Sequence, residues 1–184
     1  MVCNPSGKGG APERGGRRLS GRWGWNRVGP VFISTYEKQL DAKRRIVAPA
    51  ELRAAVAPLD GVLCFPSIEA DCVEGGGQAL FDAYAALIDE FPFADPARTA
   101  LETTVMGAMV QLSFDAAGRI TLPESLCKQF GLTDWVTIVG LGDRFQIWSR
   151  EAFRERMSGQ MQIAREALIA RSRLRLAGAA LANG

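Results

Sequence analysis

The chain has 184 residues, 47% of them hydrophobic and 23% charged, with a formal net charge of +2, which suits one domain of ordinary size or two small ones of a soluble globular protein. It contains no histidine, and with that residue go the commonest general base, the commonest metal ligand and any Ser–His–Asp arrangement. Residues 1–30 hold six basic residues and one acid, a net of +5, so residues 31–184 carry −3; a body of that sign binds nucleic acid only through a local basic surface.

Residues 1–30, "MVCNPSGKGGAPERGGRRLSGRWGWNRVGP", are rich in Gly and Arg without periodicity and read as a disordered basic tail. They lack the apolar segment of about 7–15 residues that marks a signal peptide. No apolar run approaches the roughly 20 residues needed to cross a bilayer. Cys3, Cys64, Cys72 and Cys127 are scattered, with no C-x-x-C pair. Reduced, partly buried thiols of a cytosolic protein are the corresponding expectation.

From Val31 the pattern becomes regular. "VFISTYEKQL" reads as a strand, Asp41–Arg45 as a turn and "RIVAP" as a second short strand. Pro49 sits at the start of a short helix, "AELRAAVA", where its missing N–H costs little. "GVLCF" is a strand and "EADCVEGGG" a weaker one. Ala79 to Glu90 places Leu80, Tyr84, Leu87 and Ile88 at helical spacing. Asp95 before Pro96 predicts a capped helix over "ARTALETTVMGAM".

The second half repeats the order. "VQLSF" is a strand, "DAAGR" a turn, "ITLP" a strand, and "ESLCKQFG" a short helix stopped by Gly131. "WVTIVGL" and "RFQIWS" are strands joined through Gly142-Asp143, a hairpin signal. Ser149 caps a last helix whose Ala- and Arg-rich continuation frays. "LDAKRRIVAP" (40–49) and "FDAAGRITLP" (114–123) stand 74 residues apart (115 − 41) and share Asp, Ala, Arg, Ile and Pro at five places. The shared order of elements, more than the identities, argues for an internal duplication.

In a D-x-x-G-R turn the Asp accepts hydrogen bonds from backbone N–H groups just beyond it, and the Gly takes a positive φ. The Arg begins the return strand with its guanidinium free to project from the loop. A single such Arg is ordinarily a solvated one. Two, placed by a duplicated unit in related positions, can face one groove of DNA.

"LDAKRRIVAPAEL" and "FDAAGRITLPESL" resemble the paired D-x-K-G-R and D-x-x-G-R motifs of the MraZ family, bacterial regulators built from two SpoVT-AbrB-type units. The resemblance covers roughly residues 31–165. It implies an α+β fold in which two tandem SpoVT-AbrB-like repeats form a pseudo-symmetric β-barrel of the double-psi or swapped-hairpin type, with peripheral helices. The division it implies is 1–30 tail, 31–90 first repeat, 91–108 inter-repeat helix, 109–165 second repeat and 166–184 frayed helix and tail. It further implies a cytoplasmic, nucleoid-associated, ring-shaped homo-oligomer that binds short direct repeats in double-stranded promoter DNA. Such a protein would repress the division and cell-wall gene cluster, its own promoter included, without cofactor, metal, membrane or small-molecule substrate.

Carried over by motif, Lys43, Arg45 and Arg119 are the DNA-contact candidates, with Arg53 on the following helix a further one. Arg44 departs from the family's glycine. A left-handed geometry there costs a non-Gly residue on the order of 1 kcal/mol, so either the turn changes type or Arg44 adds a phosphate contact. Family members begin close to the position of Val31, and residues 1–30 are accordingly read as an artefact of start choice or as a basic tail.

The remaining signals have plain readings. Glu69, Asp71 and Glu74 alternate along a strand with one solvated face rather than binding metal. Trp135, Phe145 and Trp148 belong to the core. "ARSRLRL" is a solvated helix end. Neither Gly-rich stretch fits a phosphate loop. Two rival functions stand beside the regulator: an AbrB-like antitoxin or transition-state-type regulator with a protein partner, and an enzyme, which no nucleophile–base pair or metal constellation supports.

Overall fold

The computed structural model describes residues 31–56 and 59–182, with side chains of the last helix through Leu174. The expectations for residues 1–30 lie outside the described residues. The elements run β1 (Thr35–Gln39), β2 (Arg45–Val47), α1 (Ala50–Ala55), β3 (Gly61–Pro66), β4 (Val73–Gly76), α2 (Gln78–Asp89) and α3 (Pro96–Leu101). After them come β5 (Val110–Ser113), β6 (Arg119–Thr121), α4 (Glu124–Gln129), β7 (Trp135–Gly140), β8 (Phe145–Ser149) and α5 (Arg150–Ala182). Asp95 caps α3 by accepting from the Ala97 N–H at 2.8 Å, and α3 passes into a π-helical turn, Glu102–Met106. The last helix continues without a break through 166–182.

Among the described residues all strand pairings are antiparallel. Six strands form one sheet in the order β1-β7-β8-β4-β3-β5, while β2 and β6 form a separate two-stranded ribbon. Each half therefore pairs with the other: β1 with β7 and β3 with β5. The register reveals an internal two-fold relation. In the ribbon the central pair is Ile46↔Ile120, 74 residues apart (120 − 46). In the sheet β4 meets β8 at Glu74↔Gln146, 72 apart (146 − 74). The offset drops by two because the first hairpin connection spans 67–72 and the second only 141–144.

The expected closed barrel is corrected. Among the described residues the sheet is open, with β1 and β5 at its edges. The cause is the tight turn after each of them: it turns the chain so that three-residue β2 meets β6 instead of returning along β1. Between the arms of the first turn the backbone bonds are Asp41 N–H to the Arg45 carbonyl, 3.0 Å, and Arg44 N–H to the Asp41 carbonyl, 2.8 Å.

Between ribbon and sheet lies a single main core to which both halves contribute, including Ile46, Leu52, Val62, Val73, Ile120, Leu126, Val136 and Ile147. Burying such side chains gives about 1.5–3 kcal/mol each, and neither half can form this core alone. Cys64, Cys72 and Cys127 are buried free thiols; burial pushes the first two up to about 12. A smaller cluster, Phe65, Leu80 and Val105, lies under α2 and the π-helical turn.

Two of the core assignments from sequence hold and one fails. Phe145 and Trp148 are buried, but Trp135 is 42% exposed. It opens β7 on the outward side, where the Arg150 guanidinium lies 5.8 Å from its ring centre. Glu74 is also corrected: it is wholly buried, because α2 covers the outer face of β4 and leaves that strand no solvated side. It accepts from Tyr84 Oη at 2.9 Å and Ser67 Oγ at 3.1 Å, and Arg144 Nε lies 3.5 Å away. Among the described residues no helix is long and apolar enough to cross a membrane.

Candidate nucleic-acid interface

The two repeated turns have the same hydrogen bonds. In the first, Asp41 Oδ1 accepts from the N–H groups of Lys43 and Arg45, each at 2.9 Å. In the second, Asp115 Oδ1 accepts from Ala117 and Arg119, each at 2.9 Å. The other carboxylate oxygen takes the arginine side chain: Arg45 Nε at 2.8 Å and Arg119 Nε at 2.7 Å. The Arg45 side chain holds the Asp41 carboxyl at about 2, with the Arg45 and Lys43 amides helping. Asp115 is lowered by the same kinds of bond, the Arg119 amide first.

This geometry corrects the picture of arginines projecting freely from the loops. Each guanidinium folds back onto its own turn and is fixed there by its Nε side. Arg45 also sets Nη2 2.7 Å from Asp41 Oδ2; because the guanidinium is a planar fork with five donors, Nη1 and the outer hydrogen of Nη2 still face away from the carboxylate. An arginine held in this way is pre-oriented for a two-pronged contact with a phosphate or a base edge.

Strand alternation sets what surrounds it. Ile46 and Ile120 point into the core and are buried, so Arg45, Val47, Arg119 and Thr121 share the opposite face of the ribbon. Arg45 stands opposite Thr121 and Val47 opposite Arg119. The two arginines are thus diagonal neighbours about the two-fold centre, near enough for Asp115 to act on Arg45 as well. A shallow depression beside this face is lined by Asp41, Arg44, Arg45, Val47, Arg119 and Lys128.

Arg44 has φ 58 and its equivalent Gly118 has φ 70. The turn has therefore kept its type, and the non-Gly residue sits in left-handed geometry. Its side chain reaches across the two-fold toward α4, with Nη1 4.0 Å from Glu124. The matching junction is built from the other partner. There Gly118 has no side chain, and the guanidinium of Arg53 on α1 covers it: a Cβ on Gly118 would stand 2.6 Å from Arg53 Nη1. The position equivalent to Arg53 in the second half is Cys127 (53 + 74). Each crossed turn–helix junction thus holds one arginine, supplied by the turn in one and by the helix in the other.

All five residues singled out from sequence lie on or beside this face. Arg45 and Arg119 are half-buried on the ribbon, Lys43 is exposed at the first turn, Arg44 leans on α4, and Arg53 lies over the second turn. Val47, Thr121 and Lys128 were missed. Alternation from a buried Ile46 was the available signal for Val47 and Thr121; nothing in the sequence placed α4 beside the first turn. Among the described residues no group of three or more acidic or cysteine side chains could hold a metal ion.

Comparison with known proteins agrees with the motif reading. A family model described as "MraZ protein, putative antitoxin-like" matches residues 105–175. A protein of Phenylobacterium zucineum named transcriptional regulator MraZ is 69% identical over 139 residues, 75% of this chain and 87% of its own length. A like-named protein of Caulobacter vibrioides is 64% identical over 141 residues, 76% of this chain and 90% of its own. One of Rickettsia felis is 36% identical over 138 residues, 74% of this chain and 93% of its own. With this much identity across nearly the full length of these relatives, the chain belongs to the MraZ family.

Proposed function

We propose that the chain is a DNA-binding regulator of transcription that reads double-stranded DNA with the outward face of the β2–β6 ribbon. The observation that carries this reading is the placement of Arg45 and Arg119 about one two-fold centre, each held by its own aspartate. The major groove is wide enough to admit a two-stranded ribbon. Lys43 and Arg44 add positive charge at the first turn and Arg53 at the second. The names of the relatives support a role in transcription.

In this reading residues 31–90 and 109–165 are two SpoVT-AbrB-type units joined through 91–108, which exchange β1 and β5; the cross-pairing of strands supports that division. A body of net charge −3 gains affinity by multivalency: a ring of copies engaging short direct repeats strengthens binding by orders of magnitude without a broad basic surface. The protein then acts in the cytoplasm on the nucleoid as a repressor of a division and cell-wall gene cluster that includes its own promoter, with no catalytic step and no cofactor.

The test is a mobility-shift titration on the DNA upstream of its own gene, over a salt series, with wild type, Arg45→Ala, Arg119→Ala and the double variant. The double variant should lose roughly a hundredfold in affinity, at about 1–3 kcal/mol per two-pronged contact, and should show a shallower salt slope. Full binding by the double variant, or a wild type without salt dependence, refutes the surface.

One observation favours a second reading. From Arg154 onward α5 leaves the sheet and exposes Met157, Met161, Ile163 and Leu168, a surface that an antitoxin would use for a protein partner. Removal of residues 154–184 separates the two: an unchanged DNA affinity with loss of a co-purifying protein favours the antitoxin.

A further inference from the structure

Val47 stands out on the ribbon face. It is 48% exposed, it lies directly opposite Arg119, and Arg45 precedes it on the same outward face. An apolar side chain there contributes little to the core, which on this strand is served by Ile46, fully buried. Its equivalent across the two-fold centre is Thr121 (47 + 74), also exposed and directly opposite Arg45. Valine and threonine have the same shape and differ only in one methyl replaced by hydroxyl. Both halves of the face therefore present a β-branched methyl between two tethered guanidiniums.

The pairing has a chemical counterpart in the major groove. A guanidinium end-on to a base edge matches the O6 and N7 of guanine, while a small methyl-bearing side chain beside it matches the one apolar group in the groove, the C5 methyl of thymine. The ribbon's outward face contains both kinds of group within neighbouring positions, whereas the exposed methyls at the turns belong to Ala42, Ala116 and Ala117 and lie off that face. Other exposed apolar side chains, such as Phe93 and Trp135, lie on the α2–α3 connection and β7 and share no face with the arginines.

Resting on the DNA reading proposed above, we infer that Val47 and Thr121 are specificity-determining residues that contact thymine C5 methyl groups next to the bases or phosphates held by Arg45 and Arg119. Val47 makes the stronger contact, because both of its methyls are apolar and no hydroxyl competes for water. The two halves of the face then differ in what they read, and a copy of the protein sits on its DNA element in a preferred direction.

The experiment uses the full-length protein and duplex DNA from upstream of its own gene, prepared either with thymine or with deoxyuridine in every thymine position, which deletes only the C5 methyl. Wild type should bind the deoxyuridine duplex about fourfold more weakly for each thymine methyl that it touches, the ratio that ~0.8 kcal/mol per methyl-sized group gives. Val47→Ser should bind the thymine duplex more weakly and discriminate less between the two DNAs. Val47→Thr, which keeps a methyl and the strand preference, should retain most of the discrimination. Thr121→Ser should remove a smaller part. Equal melting temperatures for the variants exclude misfolding as the cause.

Undiminished discrimination by the Val47→Ser, Thr121→Ser double variant overturns the assignment, as does a wild type that binds both duplexes equally well. In those cases Arg45→Ala and Arg119→Ala still lose binding to both DNAs, and the DNA-reading ribbon stands. If wild type binds neither duplex, or if the arginine variants bind like wild type, the functional reading itself fails and this assignment with it.

Discussion

The guanidinium of Arg53 covers Gly118 so closely that a methyl group on that glycine would stand 2.6 Å from Nη1. Because Gly118 also has φ 70, a side chain there meets two obstacles, one conformational and one steric. Its counterpart Arg44 adopts the same backbone geometry, φ 58, and carries its conformational cost, but meets no guanidinium across the two-fold, since α4 has Cys127 where α1 has Arg53. The asymmetry between two otherwise matching turns is thus a reciprocal exchange of one arginine.

Gly118→Ala should destabilise the fold by roughly 1–2 kcal/mol, the cost of left-handed geometry for an L side chain, the exposed Arg53 side chain moving aside at little further cost. Arg44→Gly should act in the opposite direction, adding about 1 kcal/mol and raising Tm by about 2–4 °C for a chain of this size. Denaturant titrations of both variants check the pair; a Gly118→Ala protein as stable as wild type contradicts the left-handed strain described.

Arg53→Ala leaves Gly118 uncovered but disturbs no core packing, since Arg53 is exposed on α1. Stability should change by less than about 0.5 kcal/mol. If the second turn approaches DNA, the slope of log affinity against log salt should become shallower by about one unit. Competition binding at three salt concentrations measures this. A slope equal to that of wild type removes Arg53 from the contact surface.

The acid–arginine turns predict a pH response. The Asp41 carboxyl is held at about 2 in the folded protein, below its ordinary value near 4. A depressed carboxyl contributes stability above its unfolded pKa and loses that contribution as pH falls toward its folded one. The first turn should therefore weaken between about pH 4 and pH 2, and Asp115 moves in the same direction. Asp41→Asn should flatten the stability curve in that window and leave its shape near pH 7 unaltered, as acid titration followed by circular dichroism will show.

Glu74 joins both halves. It accepts from Ser67 and Tyr84 of the first and lies beside Arg144 of the second. Burial, together with Glu74, raises the Tyr84 phenol above its usual range. Glu74→Ala leaves these donors without their acceptor and should cost about 3–5 kcal/mol. Glu74→Gln preserves the shape and an accepting oxygen, as Gln146 does at the paired position, and should cost less than half as much. Equal losses from the two variants, read by thermal unfolding, exclude a role for the acceptor oxygens.

The two turns and the order of elements were legible in the amino-acid sequence because both are local. Asp41 and Asp115 need only the next four residues to make their bonds, and helix or strand preference depends on short-range patterns. The same local rules placed Gly131 and Gly142 at positive φ, 60 and 95. They also marked Asp95 and Ser149 as helix caps.

What only the tertiary structure decided is which strand meets which. Pairing of β2 with β6 joins residues 74 apart at its centre (120 − 46), and no local preference specifies it. From that pairing follow the open sheet, the shared core, the diagonal placement of Arg45 and Arg119, and the exposed Val47 between them. The burial of Glu74 and the exposure of Trp135 have the same origin: each depends on whether a distant helix covers its side of the sheet. Local chemistry built the two aspartate-held arginines, and long-range packing set them on one face.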